Sequence, residues 1–215
     1  KNTSTVEEQS RGDLTNTLER KNITNRRLLM LCCSLYTFFF VGSFFGWGPM
    51  QLLLEENGSF SWKCDGAKPG DEPCADQTAA LLSVSLTGQS TQILSPLIGL
   101  LADRKGAKAS VAFMTASLWS GLVLLAINAA RPSVLTDRLL YLAFSLLGIA
   151  TWNGGLLTVQ TGFYWQGHTK SRVIFALNAL FDAGALTYLF LWFLGSELGL
   201  GFFNVVVGFF ALSLV

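Results

Sequence analysis

Charged side chains are scarce in this chain. They make up 13% of its 215 residues, against roughly 25% in an ordinary soluble domain, and a water-facing globular domain cannot be dressed with so few. Histidine is scarcer still: His168 stands alone in a short polar link, where it reads as a solvated residue. With no second histidine and no cysteine pair placed for ligation, a metal site has no support. No nucleophile, base and orienting group fall at usable spacings, so neither an enzyme nor a bound cofactor is expected. A net charge of +1 gives no electrostatic footprint for nucleic acid. The chain opens on Lys1 rather than methionine, and the 27 mostly polar residues before Leu28 rule out a cleaved signal peptide beginning at residue 1.

What the chain has instead is long apolar runs. Hydrophobic residues make up 51% of it, and the charges cluster in an N-terminal arm, residues 1–27, and in short links. A membrane-spanning helix needs ~20 predominantly apolar residues. Five runs meet that length: Leu28 to Leu54, Thr78 to Ala102, Val111 to Ala130, Leu139 to Phe163 and Val173 to Leu194. A sixth, Leu200 to Val215, ends inside its apolar stretch, so the chain is expected to be a fragment whose last helix is truncated. The expectation is an all-α, multi-pass integral membrane protein with the lipid bilayer as its surroundings.

Orientation follows from lysine and arginine, which are in excess on cytoplasmic links. The arm and the second and fourth links carry eleven of them, including Arg104, Lys105 and Lys108. The first, third and fifth links carry four. The N-terminus is therefore expected in the cytoplasm, with the plasma membrane the first choice of location and an endomembrane the alternative. The first link, Glu55 to Gln77, then faces outward. It holds a glycosylation acceptor, Asn57-Gly58-Ser59, whereas the acceptors at Asn2 and Asn22 lie on the wrong side. Of four cysteines, Cys32 and Cys33 sit early in the first span, which leaves Cys64 and Cys74 to pair in an oxidising compartment.

The second link reads Gly99-Leu100-Leu101-Ala102-Asp103-Arg104-Lys105-Gly106-Ala107-Lys108. The glycines allow a tight turn, Asp103 suits the positive end of a helix dipole, and the basic residues hold the link at an anionic leaflet. A plain anchoring loop would require only the basic residues. The pattern resembles the signature between the second and third spans of major facilitator transporters, Gly-x-x-x-Asp-Arg-x-Gly followed by basic residues, and departs from it at Ala107. That resemblance implies a six-helix N-terminal bundle whose C-terminal six-helix half is missing here. It also implies a gating role for Gly99, Asp103, Arg104, Gly106 and Lys108, with Asp103 helping to latch the two halves.

Two further stretches narrow the likeness. Phe45-Gly46-Trp47-Gly48-Pro49, continuing to Asn57-Gly58 and the cysteine pair, and Gly162 to Arg172 leading to Asn178-Ala179-Leu180-Phe181-Asp182, are similar to the sodium-independent large neutral amino acid transporters. The resemblance covers about Leu28 to Leu194 and implies facilitated transport of a neutral amino acid.

Polar groups inside spans are costly and mark cavities or partners. Asp182 is the only acid within the five complete runs, where an uncompensated carboxylate costs at least ~2.5 kcal/mol. A proton, a residue of the absent half or a substrate ammonium could each answer it. So could a structural role as a protonated carboxyl. Asn178 lies one turn earlier on the same face. Gln89 and Gln92 form a second polar face, suited to a substrate or to gluing helices together. Asn153, before Gly154-Gly155, is a cavity amide or a helix contact. Pro49 lacks a backbone donor and should kink the first span, which makes Gly46 and Trp47 candidates for a substrate site. Their alternative is structural: Gly42 and Gly46 have the spacing of a close helix contact.

These readings converge on a neutral amino acid transporter working by alternating access. The alternatives are a facilitator of another small organic solute, coupled to protons through Asp182, and a non-transporting receptor or scaffold. With Lys105→Cys and Asn57→Cys introduced singly, impermeant thiol reagents on intact cells should label position 57 and spare position 105. The opposite pattern inverts the topology.

Overall fold

The computed structural model describes residues 26–64, 73–165 and 167–214. The arm expected over residues 1–27 lies outside them except for Arg26 and Arg27, which open the first helix. The described residues are helical almost throughout and contain no β-strand. In chain order the helices are α1 (Arg26–Glu56), α2 (Ala75–Ser90), α3 (Ser95–Lys105), α4 (Ala107–Ala130), α5 (Val134–Gln160), α6 (Gly167–Ala183), α7 (Ala185–Trp192) and α8 (Phe202–Leu212).

Among the described residues four rods are long and apolar enough to cross a membrane: α1, Lys108–Ala130, Val134–Phe163, and the α6–α7 rod His168–Glu197. The other two expected spans differ from expectation for physical reasons. The run Thr78 to Ala102 lies within α2 and α3, but Thr87, Gln89, Ser90, Thr91, Gln92 and Ser95 dilute its middle, and a 3₁₀ turn, Thr91–Leu94, separates the two helices. The run from Leu200 begins with Gly201 at φ 74° and yields only the short helix α8.

The second link is tighter than the sequence implied. α3 runs through Lys105, α4 starts at Ala107, and Gly106 alone, at φ 85°, makes the turn. A left-handed φ favours a residue without Cβ. Asp103 and Arg104 therefore sit in the last turn of a helix and Lys108 in the first turn of the next.

The break in α1 comes before Pro49. A π stretch, Thr37–Val41, is followed by a 3₁₀ stretch, Gly42–Gly46, and the regular helix resumes at Trp47. Pro49 thus falls in the first turn of the resumed segment, where a missing donor costs least. The Thr187 hydroxyl donates to the Phe38 carbonyl at 3.0 Å and the Ser43 hydroxyl to the Phe40 carbonyl at 3.1 Å, so two carbonyls at the change of pitch gain side-chain donors, as an apolar setting demands.

At the same level α1 meets the α6–α7 junction backbone to backbone. A Cβ on Gly42 would collide with the Phe181 carbonyl, and one on Gly184 would lie 2.7 Å from the Gly42 Cα. Around this crossing the core packs Phe40, Phe44, Met50 and Leu53 of α1 against Leu118, Leu122 and Leu125 of α4, Phe144 and Leu147 of α5, Tyr188 and Leu191 of α7, and Phe202 and Phe209 of α8.

One end of the bundle is closed by a polar hub. Asp137, 1% exposed, accepts from the Phe60 backbone N–H (2.8 Å), the Trp62 indole N–H (2.9 Å) and the Asn128 amide (2.8 Å). Ser59 donates to Asn128 Oδ1 at 2.9 Å, and Gln77 donates to the Ser59 carbonyl at 2.8 Å. These bonds hold Phe60 at φ 59° and tie the turn after α1 to α2, α4 and α5. Beside them Cys64 and Cys74 are disulfide-bonded across a Cα separation of 5.9 Å, as expected, while Cys32 and Cys33 are unpaired. Replacing Asp137 by Ala strands three donors and should cost about 3 kcal/mol. Thermal unfolding in detergent, followed by tryptophan fluorescence, reads this as a lowered midpoint, with Asp137→Asn intermediate.

Candidate functional site: a polar cleft beside the helix breaks

The pitch changes in α1 and between α2 and α3 leave a cavity of about 650 Å³. Its lining comes from Thr37 of the π stretch, Gln92 of the 3₁₀ turn, Ser95 of α3, Trp152, Gly155, Leu156, Thr158, Val159 and Gln160 of α5, and Leu177, Asn178 and Phe181 of α6. The polar groups that reach it, Thr37, Gln92, Ser95, Thr158, Gln160 and Asn178, are all neutral. No ionisable side chain lines it among the described residues.

Aromatic rings form one wall. Phe181 and Trp152 lie 6.2 Å apart at 60°, and Phe45 meets both edge to face, at 5.1 and 5.4 Å. Gly155 keeps the floor low: a Cβ there would lie 3.0 Å from Val41 and 3.5 Å from the Phe181 ring.

A second cavity of about 220 Å³ continues toward the Gly106 turn and shares Ser95, Leu156 and Gln160 with the first. Gly99, Asp103 and Asn153 complete its polar lining. Three buried polar atoms on residues lining the two cavities have no hydrogen-bond partner: Thr37 Oγ1, Trp152 Nε1 and Asn153 Oδ1. A stranded buried donor or acceptor costs about 1–3 kcal/mol, so these three atoms carry an unmet polar cost just behind the cavity walls.

The sequence-derived candidates separate into groups. Gln92 and Asn178 line the larger cavity, while Asn153, Gly99 and Asp103 line the smaller. Arg104, Gly106 and Lys108 are exposed at the turn and line neither. Gln89 is exposed and donates to Ser85 at 3.3 Å. Asp182 is exposed and absent from both linings, and no hydrogen bond or ion pair reaches it among the described residues.

Gly46 and Trp47 lie away from both cavities. Gly46 is a packing notch, since a Cβ there would collide with the Ala185 carbonyl. Trp47 sets its ring edge to face against Phe144 at 5.2 Å and donates to Gln51 at 3.0 Å. At Asn57 the amide nitrogen is buried without a partner, so a glycan there would have to be attached before the turn closes.

Thr37, Ser95, Trp152, Gly155, Thr158 and Gln160 escaped the sequence reading. Thr37 carried a signal, a lone hydroxyl between Tyr36 and three phenylalanines; the others look like ordinary helix residues until the helices are assembled. Comparison with known protein families, curated proteins and solved structures gives no match.

If the larger cleft is wet, Gln92→Cys and Asn178→Cys, in a chain with Cys32→Ser and Cys33→Ser, should react with a small water-soluble thiol reagent. Val206→Cys, in the packed core, should stay unmodified. Equal reactivity at all three positions would mean that the bundle is loose and the cleft is not a defined space.

Proposed function

We propose that this protein is a transporter of a small neutral solute, a neutral amino acid first, and that it works by alternating access around the cleft between α1, α2–α3, α5 and α6. The observation that carries the reading is the cleft itself. A space of about 650 Å³ lies beside interrupted helices in a chain with four membrane-length helices. Interrupted helices free backbone groups to line a cavity and mark the binding region in many transporters. The resemblance of residues 99–108 to the major facilitator signature, and of residues 45–58 and 162–182 to the large neutral amino acid transporters, supports both the mechanism and the substrate. On this reading the chain supplies one six-helix half, the N-terminus is cytoplasmic, the disulfide end faces outward, and the plasma membrane is the site of action.

The mechanism uses the groups on the cavity walls. Neutral amides and hydroxyls can bind a zwitterion or an uncharged solute without desolvating a fixed charge, and the Trp152–Phe181 wall provides area for an apolar body. The smaller cavity places Asp103 of the motif near Asn153 and Gln160, so movement of α3 alters the cleft floor directly.

A second reading, an uncharged organic solute other than an amino acid, is favoured by one observation. No carboxylate lines the cleft among the described residues to receive an ammonium, and Asp182 is exposed outside its lining.

Uptake of labelled leucine by the full-length protein in proteoliposomes should be saturable, and Asn178→Ala should raise KM about fivefold, the worth of one net hydrogen bond of ~1 kcal/mol. If Asp182 binds the ammonium, Asp182→Asn raises KM with weak pH dependence in the wild type. If it carries a proton, external acid accelerates the wild type and leaves the Asn variant unmoved. If it is structural, the variant transports normally. Absence of saturable uptake for any neutral amino acid by folded protein removes the amino acid reading.

A further inference from the structure

A third cavity, of about 480 Å³, opens at the disulfide end and is lined by Trp62, Lys63, Asp76, Ala79, Ala80 and Ser83. Among the described residues it holds one cation and one anion. Lys63 and Asp76 are both exposed, yet no ion pair within 4.0 Å joins them. An exposed pair gains little from closing on itself, so both charges stay open to a third partner. Their backbone bases are held near each other. Lys63 precedes Cys64 and Asp76 lies two residues after Cys74, so the disulfide, with its Cα separation of 5.9 Å, fixes the two backbone attachments.

The walls are fixed as well. The Trp62 indole N–H is bound to the buried Asp137 at 2.9 Å, which sets the ring plane, and the Lys63 ammonium rests 5.7 Å from that ring's centroid. Ser83 is bound to the Tyr141 hydroxyl and to the Ala80 carbonyl, both at 2.7 Å. Ala79 and Ala80 leave the remaining face apolar and low.

We propose that this cleft is a second recognition site, distinct from the transport cleft, for a small zwitterion. Lys63 holds the anionic group, Asp76 holds the cationic group, and the apolar body lies against Trp62 and the two alanines. A ligand bearing only one charge would leave the opposite protein charge unanswered in the same concavity, and so would bind less well. The choice of an α-amino acid as the zwitterion rests on the transport reading, whereas the arrangement of charges does not.

The test uses the full chain in nanodiscs, where both membrane faces are open, carrying Cys32→Ser, Cys33→Ser and Ala79→Cys. Mass spectrometry under non-reducing conditions verifies the Cys64–Cys74 bridge. Modification of Ala79→Cys by a charged maleimide should be slowed by leucine, about tenfold at ten times its Kd, because the unoccupied fraction falls as 1/(1 + [L]/Kd). Leucinamide, which has only the cation, and 4-methylpentanoate, which has only the anion, should protect far less. Lys63→Gln or Asp76→Asn should abolish the protection by leucine.

An independent readout needs no added cysteine: the fluorine resonance of Trp62 in chain labelled with fluorotryptophan, assigned by its loss in Trp62→Phe, should shift with leucine and not with either single-charge analogue. Equal effects of an analogue and leucine, or no effect of leucine in either measurement, overturn the proposal. Protection without uptake in proteoliposomes keeps this site and removes the transport reading. Uptake without protection does the reverse.

Discussion

The contact on which the rest of the bundle depends is the backbone crossing of α1 with the α6–α7 junction at Gly42 and Gly184. Helices pack closely in an apolar setting when small residues let their backbones approach, because lipid supplies no hydrophobic drive between them. This approach brings the π and 3₁₀ stretches of α1 against the α6–α7 rod, where Thr187 bonds the Phe38 carbonyl. It also sets Phe181, whose carbonyl lies where a Gly42 Cβ would be, and the Phe181 ring forms a wall of the larger cleft. Packing and cavity are thus two aspects of one crossing.

The cleft adds a second constraint, the handling of polar groups by an apolar interior. Along α5, Thr151, Asn153 and Thr158 donate back to the carbonyls of Gly148, Ile149 and Gly155. That back-bonding hides donors within the helix and lets a polar face run through the bundle at small cost. Of the five buried polar atoms without partners among the described residues, three, on Thr37, Trp152 and Asn153, belong to residues lining one or the other cavity, while those on Asn57 and Ser110 lie elsewhere. The unmet polar groups thus concentrate around the two cavities without being confined to them.

Much of the helical layout was legible because it depends on local patterning. Apolar run length placed the four long rods to within a few residues, and compartment and position placed the disulfide at Cys64 and Cys74. The rest required three dimensions. A proline suggested a kink at residue 49, but the pitch changes earlier, where glycines allow a close crossing that only the partner helix reveals. Gln92 and Asn178 were visible as polar residues in apolar runs and do reach the cavity. Gln89, of the same type and three residues before Gln92, does not, because it lies in the regular α2 helix whereas Gln92 belongs to the 3₁₀ turn that follows. Asp137 fell just before an expected span, and nothing local marked it as the acceptor for donors 75 and 77 residues away in sequence.

The closed hub at one end has a mechanical consequence. Asp137, the disulfide and the bonds from Trp192 and Ser196 to Glu56 bind five helices together at that end, whereas α3 at the other end contributes no buried residue at all and joins α4 through Gly106 alone. The bundle is therefore unequally stiff, like a peg with one end pinned. A load applied at its middle will splay α3 and the Gly106 turn before it parts the pinned end, so the smaller cavity near Asp103 is the compliant element of the fold.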